Sequence, residues 1–314
     1  MTAAVGKALR NVWAETLIEL AAEDPRVVVL DGDLANSTKA DLFEQAHPER
    51  FFQMGIAEQN MLGAAAGMAA VGMIPWISTF AAFAVSRALD PIRVLIAQPG
   101  LNVNVTGAYS GLLAGKTGKT HLSFDDLAVM RALGKMTVVA PGDETETRQA
   151  VRALTFDEGP SYLRLTREGS PVIFDDAYRF RIGRAVTVRE GGDVTLISTG
   201  VQTARVLEAA GTLEGAGIDC LVLHVPTIKP FDTDAVAEAA ARTGRVITVE
   251  EHSIVAGLGG AVAETLGALH PTRIDRIGLP DGFGESGPDD ALLDKYGLSP
   301  QRVAEAIEGL LQRG

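Results

Sequence analysis

The sequence has little of what would indicate a disulfide-bonded, nucleic-acid-binding or membrane-spanning protein. Its one cysteine, Cys220, cannot form an internal disulfide, and its apolar neighbours predict a small core residue rather than a reactive thiol. The formal net charge of -12 argues against binding nucleic acid or anionic membranes through bulk electrostatics. The apolar segment 64–73 is too short to cross a bilayer, and with no visible signal peptide the expected location is the cytoplasm.

What the sequence does contain is an alternation of short apolar runs with segments of helical spacing. The predicted strands are 26–30, 50–53, 73–78, 101–106, 137–140 and 161–165, then, after a break at 167–192, 194–198, 220–225, 245–249 and 272–278. The predicted helices include 6–22, 56–71, 79–96, 125–133 and 301–312. We therefore expect an α/β fold of two doubly wound domains with mostly parallel sheets: domain 1–170, linker 171–190 and a smaller domain 191–314.

The segment from Arg50 to Phe83 holds the residues that best suit a chemical role. Glu58 is predicted at the start of a helix rich in Gly and Ala. Phe80 and Phe83 are three residues apart, so a helix would place both rings on one face. From the residues alone, Glu58 could equally be a helix-dipole partner and the two phenylalanines part of the core.

Several motifs give this chain a resemblance to a known family. They are GIAEQN followed by a Gly- and Ala-rich helix and STF, then MTVVAPGDETETRQAV, GPSYLRLTREGSP, VPTIKPFD and EEHSIVAGLGGAVAE. Over nearly its whole length the chain resembles transketolases and deoxyxylulose phosphate synthases, and most of all the C-terminal subunit of split bacterial transketolases. Asn60 favours the split transketolases, because the synthases more often carry His there.

The resemblance implies how a cofactor, thiamine diphosphate, is bound. Glu58 would hydrogen-bond the pyrimidine nitrogen and activate the cofactor, while Phe80 and Phe83 would pack on the flat ring. Asp33 matches an acidic position beside the cofactor, with a turn-forming role as the alternative. The expected fold is then a pyrimidine-binding domain followed by a transketolase C-terminal domain.

The resemblance also implies three substrate-binding residues. His121 matches an active-site histidine, whose imidazole can donate to a developing alkoxide or move protons near neutral pH. Ser37 and Arg167 match residues that bind the substrate phosphate, for which an Arg fork is well suited. The alternatives are an exposed loop histidine, a turn cap and a surface charge.

Two positions depart from the sugar-phosphate pattern of the family. A second histidine is usual where this chain has Gly107 or Ala108, and an Asp is usual where it has Thr117. Lys116 and Lys119 lie nearby in the sequence. They either favour a different anionic substrate or are solvated charges of the loop. The sequence therefore leaves open which ketose and aldose react and whether they are phosphorylated.

The motif that binds the diphosphate and Mg²⁺ in this family, Gly-Asp-Gly…Asn, is not found. Asp31-Gly32-Asp33 comes near it, but no glycine opens the motif. We expect a second polypeptide, an N-terminal transketolase subunit, to hold the diphosphate and Mg²⁺, with Gly63 and Gly67 allowing close contact in a heterotetramer. The alternatives are a subunit like a deoxyxylulose phosphate synthase or the β chain of a 2-oxoacid dehydrogenase, or a non-catalytic scaffolding paralogue.

The second domain offers less chemistry. His224 is expected to be a satisfied core residue, and Glu250, Glu251 and His252 a solvated strand end with metal binding as the alternative. The loop 281–288 is expected near a subunit interface. The resemblance assigns this domain to assembly rather than to catalysis.

Overall fold

The computed structural model describes residues 4–313 and contains two α/β units. The strands are β1 Val27–Asp31, β2 Phe51–Gln53, β3 Ile74–Phe80, β4 Asn104–Ala108, β5 Thr137–Val139, β6 Ser161–Arg164, β7 Val186–Arg189, β8 Val194–Ser198, β9 Cys220–His224, β10 Thr227–Lys229, β11 Arg245–Ser253 and β12 Arg273–Leu279. The first sheet has the order β10-β5-β6-β4-β3-β1-β2 and the second β12-β11-β8-β9-β7. The pairings are parallel except β10 with β5 and β7 with β9, which confirms the expected fold class.

Helices cover both sheets. They are α1 Leu9–Glu23, α2 Ala35–Thr38, α3 Ala40–Ala46, α4 Glu58–Ala70, α5 Ala81–Ser86, α6 Leu89–Pro91, α7 Asp126–Ala132, α8 Glu144–Thr155, α9 Gln202–Gly215, α10 Thr233–Thr243, α11 Leu258–Leu269, α12 Asp289–Lys295 and α13 Pro300–Gln312. Within residues 4–313, no helix is both long enough and apolar enough to cross a membrane.

The core explains why the predicted strands form. The strands β1, β3 and β4 are buried along their whole length, as expected for central parallel strands covered on both faces. Trp13 of α1 and Trp76 of β3 are fully buried and meet edge to face at 6.4 Å. Trp76 Nε1 also donates to Thr155 Oγ1 at 3.1 Å, which ties α8 to the same core.

The helix predicted over 79–96 is wrong. The strand β3 continues through Phe80, and the rest divides into α5, α6 and a π-helix, Ile92–Ala97. Pro91 has no N–H for the carbonyl of Arg87, which instead accepts a hydrogen bond from Gln59 Nε2 at 3.1 Å. Phe80 and Phe83 therefore do not share a helix, because Phe80 is extended and only Phe83 is helical.

In the second unit, two expectations about core residues are confirmed. Cys220 is buried, and burial raises the pKa of its thiol to about 11. His224 is fully buried, and its ring nitrogens lie 2.7 Å from Thr203 Oγ1 and 2.8 Å from Glu146 Oε2.

The expected solvated strand end at Glu250, Glu251 and His252 is wrong, because all three side chains are buried. The carboxylate of Glu250 accepts backbone N–H groups from the start of α11, and that of Glu251 accepts those of 112–113 in the first unit. Contact with the first unit therefore removes this end of β11 from water.

Candidate functional site

Glu58 is the first residue of α4, and its side chain is only 4% exposed. The helix is held in place by Met61, Leu62 and the alanines behind them, which are buried against β3. A carboxylate in the first turn is favoured by the helix dipole. Its Oε1 accepts a hydrogen bond of 2.7 Å from Nη1 of Arg87, just after α5. The sequence therefore places a buried negative charge at the end of the first sheet.

Four rings contact one another and are linked to this carboxylate through Arg87. Phe80 stacks on Tyr109 at 4.1 Å between ring centroids and on Phe83 at 5.6 Å. The imidazole of His121 meets Phe80 and Phe83 edge-on, at 5.9 and 5.2 Å. The guanidinium of Arg87 lies 3.9 Å from the centroid of the Phe83 ring, so it joins the rings to Glu58. Phe80 and Phe83, predicted in one segment with Glu58, and His121, from a distant loop, are thus in contact with one another, and Arg87 joins them to Glu58.

The long loop after β4 supplies two of these rings. Tyr109 has a positive φ of 58°, a conformation that a residue other than glycine adopts at a cost. A 3-10 turn, Gly115–Thr117, then leads to His121, whose N–H donates to the carbonyl of Gly118 at 3.0 Å. The His121 ring is half-buried, with Nδ1 2.8 Å from Thr120 Oγ1.

A cationic cluster lies on the other side of Tyr109 and includes a residue that the sequence did not suggest, Arg10. Arg10 Nη1 donates to the Tyr109 hydroxyl at 2.9 Å and to the carbonyl of Ser37 at 2.7 Å. Arg167 Nε donates to the same hydroxyl at 3.2 Å, and this hydrogen bond raises the pKa of Arg167. Two guanidinium groups thus converge on the Tyr109 hydroxyl, and one of them also binds the carbonyl of Ser37. The sequence did contain a signal for Arg10, because this residue is a cation at the start of a helix face that is otherwise apolar.

Asp33 lies in the turn that follows β1. It is exposed with a positive φ of 66°, and its N–H donates to Gln53 Oε1 at 3.0 Å. Its neighbour Asp31 is buried and accepts hydrogen bonds from Ser78 Oγ, Gln53 Nε2 and the N–H of Leu34. Burial raises the pKa of Asp31 in spite of these donors. Asp31 therefore anchors the turn that carries Asp33, and the cofactor role of Asp33 stays a prediction.

The space beside Gly107 is occupied by Tyr162. A Cβ at position 107 would overlap the Tyr162 hydroxyl, which donates to Asp126 Oδ2 at 2.8 Å. A histidine cannot replace Gly107 unless Tyr162 moves. The packing of Tyr162 therefore accounts for a glycine at this position in place of the histidine that is usual in the family.

A cavity of about 460 Å³ adjoins the rings between the two units. It is bordered by Phe83, Arg87 and Lys119 on one side and by the loop 281–288 on the other. Phe283 of that loop is exposed. Lys119 therefore faces a space beside the site. The expected role of the loop 281–288 at a subunit interface stays a prediction.

Comparison with known proteins identifies the family. Residues 6–171 match the transketolase pyrimidine-binding domain, and residues 183–303 match the transketolase C-terminal domain. The chain belongs to the transketolase family. The resemblance inferred from the motifs is therefore confirmed.

Among transketolase-family relatives, split subunits match over most of their length. The chain is 41% identical to the 6-deoxy-6-sulfo-D-fructose transketolase subunit SqwH of a Clostridium species, over 97% of this chain and 95% of that one. It is 36% identical to an apulose-4-phosphate transketolase subunit of Phocaeicola vulgatus, over 95% and 96%. A solved split-gene transketolase, described as an inactive β4 tetramer, superposes with a TM-score of 0.90 at 45% identity, covering 98% and 99%.

The residues of this transketolase-family chain fit the pyrimidine end of thiamine diphosphate. The flat Arg87 cation already makes two contacts suited to an aminopyrimidine: its Nη1 donates to the Glu58 carboxylate and its guanidinium lies over the Phe83 ring. Such a ring requires a buried carboxylate that can hydrogen-bond its nitrogen and an aromatic face that can stack on its plane. Within residues 4–313, no group of three or more His, Cys, Asp or Glu side chains is arranged to hold a metal ion.

Proposed function

We propose that this chain is the C-terminal subunit of a two-chain, thiamine-diphosphate-dependent transketolase. It transfers a two-carbon ketol unit from a ketose to an aldose. The observation that carries the proposal is a chain of contacts in which Arg87 joins Glu58 to the Phe83 ring, and His121 meets that ring edge-on. The split-subunit relatives support the two-chain arrangement.

Each side chain has a defined task in this proposal. The cofactor, when bound, supplies the nucleophilic carbon for ketol transfer. Glu58 hydrogen-bonds the pyrimidine nitrogen, and its burial keeps water from competing for that bond. Phe80 and Phe83 hold the plane of the ring. His121, at the edge of both rings, donates a proton to, or accepts one from, the substrate oxygens.

The proposed partner covers the surface next to Glu58. Ile56 and Val71, on either side of α4, are 72% and 81% exposed, and Leu95 nearby is also exposed. A Cβ at Gly63 or Gly67 would meet almost nothing within 4 Å, so another backbone can approach this face. We propose that a partner chain with the Gly-Asp-Gly…Asn motif packs here, bringing the diphosphate and Mg²⁺, in a heterotetramer. The inactive β4 tetramer formed by a relative supports this requirement.

The proposed substrate is anionic. Arg10 and Arg167 place two guanidinium groups around the Tyr109 hydroxyl, at 2.9 and 3.2 Å, and Ser37 lies beside Arg10. Such a set suits phosphate or sulfonate, because each guanidinium offers two parallel N–H donors. The sugars named for the two relatives, a sulfonate and a phosphate, are both anions.

The experiment that tests this function joins the chain to a partner subunit and titrates thiamine diphosphate with Mg²⁺. We expect the pair to bind the cofactor more tightly than either chain alone, and then to transfer ketol units from a phosphorylated or sulfonated ketose faster than from the neutral sugar. Equal cofactor affinity of the pair and the partner alone would contradict the proposed role of Glu58. A preference for neutral ketoses would contradict the anionic substrate.

A further inference from the structure

The loop that carries Tyr109 and His121 is held from the second unit. Glu251 of β11, 2% exposed, crosses to this loop with its carboxylate. Its Oε1 accepts the N–H of Leu112 at 2.7 Å and that of Leu113 at 3.3 Å. Two consecutive amides of the loop are thus bound to one buried carboxylate, an interaction stronger than one between neutral groups.

The local sequence is arranged for this contact. Gly111 has a positive φ of 72°, and a Cβ there would overlap Glu251 Oε1, so a side chain at position 111 would push the carboxylate away. On the other side, Arg205 Nη1 of α9 donates to Glu251 Oε2 at 2.7 Å. The carboxylate is therefore fixed between a cation of its own unit and the amides of the loop.

A second anchor lies two residues beyond Leu113 in the loop. The N–H of Gly115 donates to Asp289 Oδ1 at 2.9 Å, and the N–H of Gly287 donates to the carbonyl of Gly115 at 3.2 Å. Asp289 begins α12, and Gly287 belongs to the loop before it. Both ends of the segment 112–115 are consequently tied to the second unit, while Tyr109 and His121 flank it.

We propose that Glu251 is a positioning residue for catalysis. Through the amides of Leu112 and Leu113 it fixes the loop so that Tyr109 and His121 face Phe80 and Phe83. The inference rests on the proposed function, because positioning His121 matters to turnover only if His121 acts on the substrate. It gives the second unit a part in catalysis, where the sequence resemblance had suggested assembly alone.

Amide hydrogen exchange of the purified chain tests the contact without any activity measurement. In Glu251→Ala we expect exchange across 112–118 to rise about tenfold or more, because two amides lose a charged acceptor. Glu250→Ala is the matched control, since the carboxylate of this neighbouring residue accepts the amides of Leu258 and Gly259 and lies 3.6 Å from the His252 ring, within its own unit. It should raise exchange at those two amides and leave 112–118 at the wild-type rate. Unchanged exchange of the loop in Glu251→Ala would overturn the inference.

A double-mutant cycle in the reconstituted two-chain enzyme then tests the catalytic part. We expect Glu251→Ala to lower kcat about 10- to 100-fold in the wild-type background and less than about twofold in His121→Ala, because it acts through that histidine. Equal losses in both backgrounds would show a merely structural role. If Glu251→Ala fails to fold, Glu251→Gln replaces it in the cycle, because glutamine keeps the shape and one acceptor oxygen. The loss of kcat caused by Glu251→Gln must likewise be smaller in the His121→Ala background.

The two proposals fail separately. An inactive wild-type pair would contradict the proposed function. A normal exchange rate at Leu112 and Leu113 in Glu251→Ala would contradict the anchoring, whatever the activity of the pair.

Discussion

Glu58 and Arg87 form an ion pair of 2.7 Å in which the carboxylate is buried and the guanidinium is about half exposed, at 47%. A buried carboxylate without a partner is costly, and in this chain the arginine supplies the counter-charge. The same guanidinium lies over Phe83. Arg87 therefore holds the position next to Glu58 that the cofactor ring must share or take over.

The first prediction concerns the stability of the chain alone. Arg87→Ala should lower the free energy of unfolding by about 1–3 kcal/mol, less than for a fully buried pair because Arg87 is half exposed. Urea denaturation measures the loss. The double variant Glu58→Gln with Arg87→Ala should recover most of it, because the uncompensated charge is gone. Equal stability of the wild type and Arg87→Ala would contradict the importance of the pair.

The second prediction concerns Glu58 in the assembled enzyme. Glu58→Gln keeps the volume but removes the charge that favours the reactive form of the pyrimidine. Turnover should fall by about 10²–10⁴-fold, while circular dichroism and the unfolding midpoint show an intact fold. Turnover near the wild-type value would remove Glu58 from the role proposed for it.

The third prediction concerns the two arginines around Tyr109. Arg10→Ala and Arg167→Ala should each raise KM for an anionic ketose about 10- to 100-fold, because a charge-assisted hydrogen bond to the anion is lost. KM for the corresponding neutral ketose should hardly change. Arg148→Ala is the control, since Arg148 pairs with Glu19 on the surface at 3.1 Å. An equal rise in KM for charged and neutral sugars would show that the arginines bind no anion.

The fourth prediction concerns pH. Burial raises the pKa of Glu250 from 4.5 to about 7. The folded state thus binds the Glu250 proton more tightly than the unfolded state does. Protonated Glu250 therefore stabilises the folded state at low pH, and this contribution is lost as the pH rises from about 4.5 towards 7. The free energy of unfolding of Glu250→Gln relative to wild type should increase by up to about 3 kcal/mol over that window. Denaturation at pH 5 and pH 7.5 checks it, and a constant difference between the proteins would refute the shift.

Most of the fold could be predicted because its strands are buried on both faces. Runs such as residues 27–30 are apolar throughout, so the sequence predicts them without knowledge of their neighbours. The strands β7 and β10 could not be predicted this way, since they are short and pair antiparallel at sheet edges. The helix predicted over 79–96 failed because Pro91 interrupts its hydrogen bonds, a local signal that the apolar spacing concealed.

The candidate site was predictable only where a motif spans it. Glu58, Phe80 and Phe83 lie within one segment, whereas Arg10 meets Tyr109 across 99 residues. Glu251 was misjudged for the same reason: its burial depends on loop amides that lie 138 and 139 residues away. Long-range contacts of this kind have no signature in spacing or composition.

The central claim is that Glu58 serves a cofactor whose charged end is bound by another chain. Its most direct test is ketol transfer by the purified chain with thiamine diphosphate and Mg²⁺, alone and after addition of the partner subunit. We predict no turnover above background from either chain alone. With both chains present, turnover should rise with partner concentration and level off at a fixed molar ratio of the two chains. Full turnover by this chain alone would contradict the account.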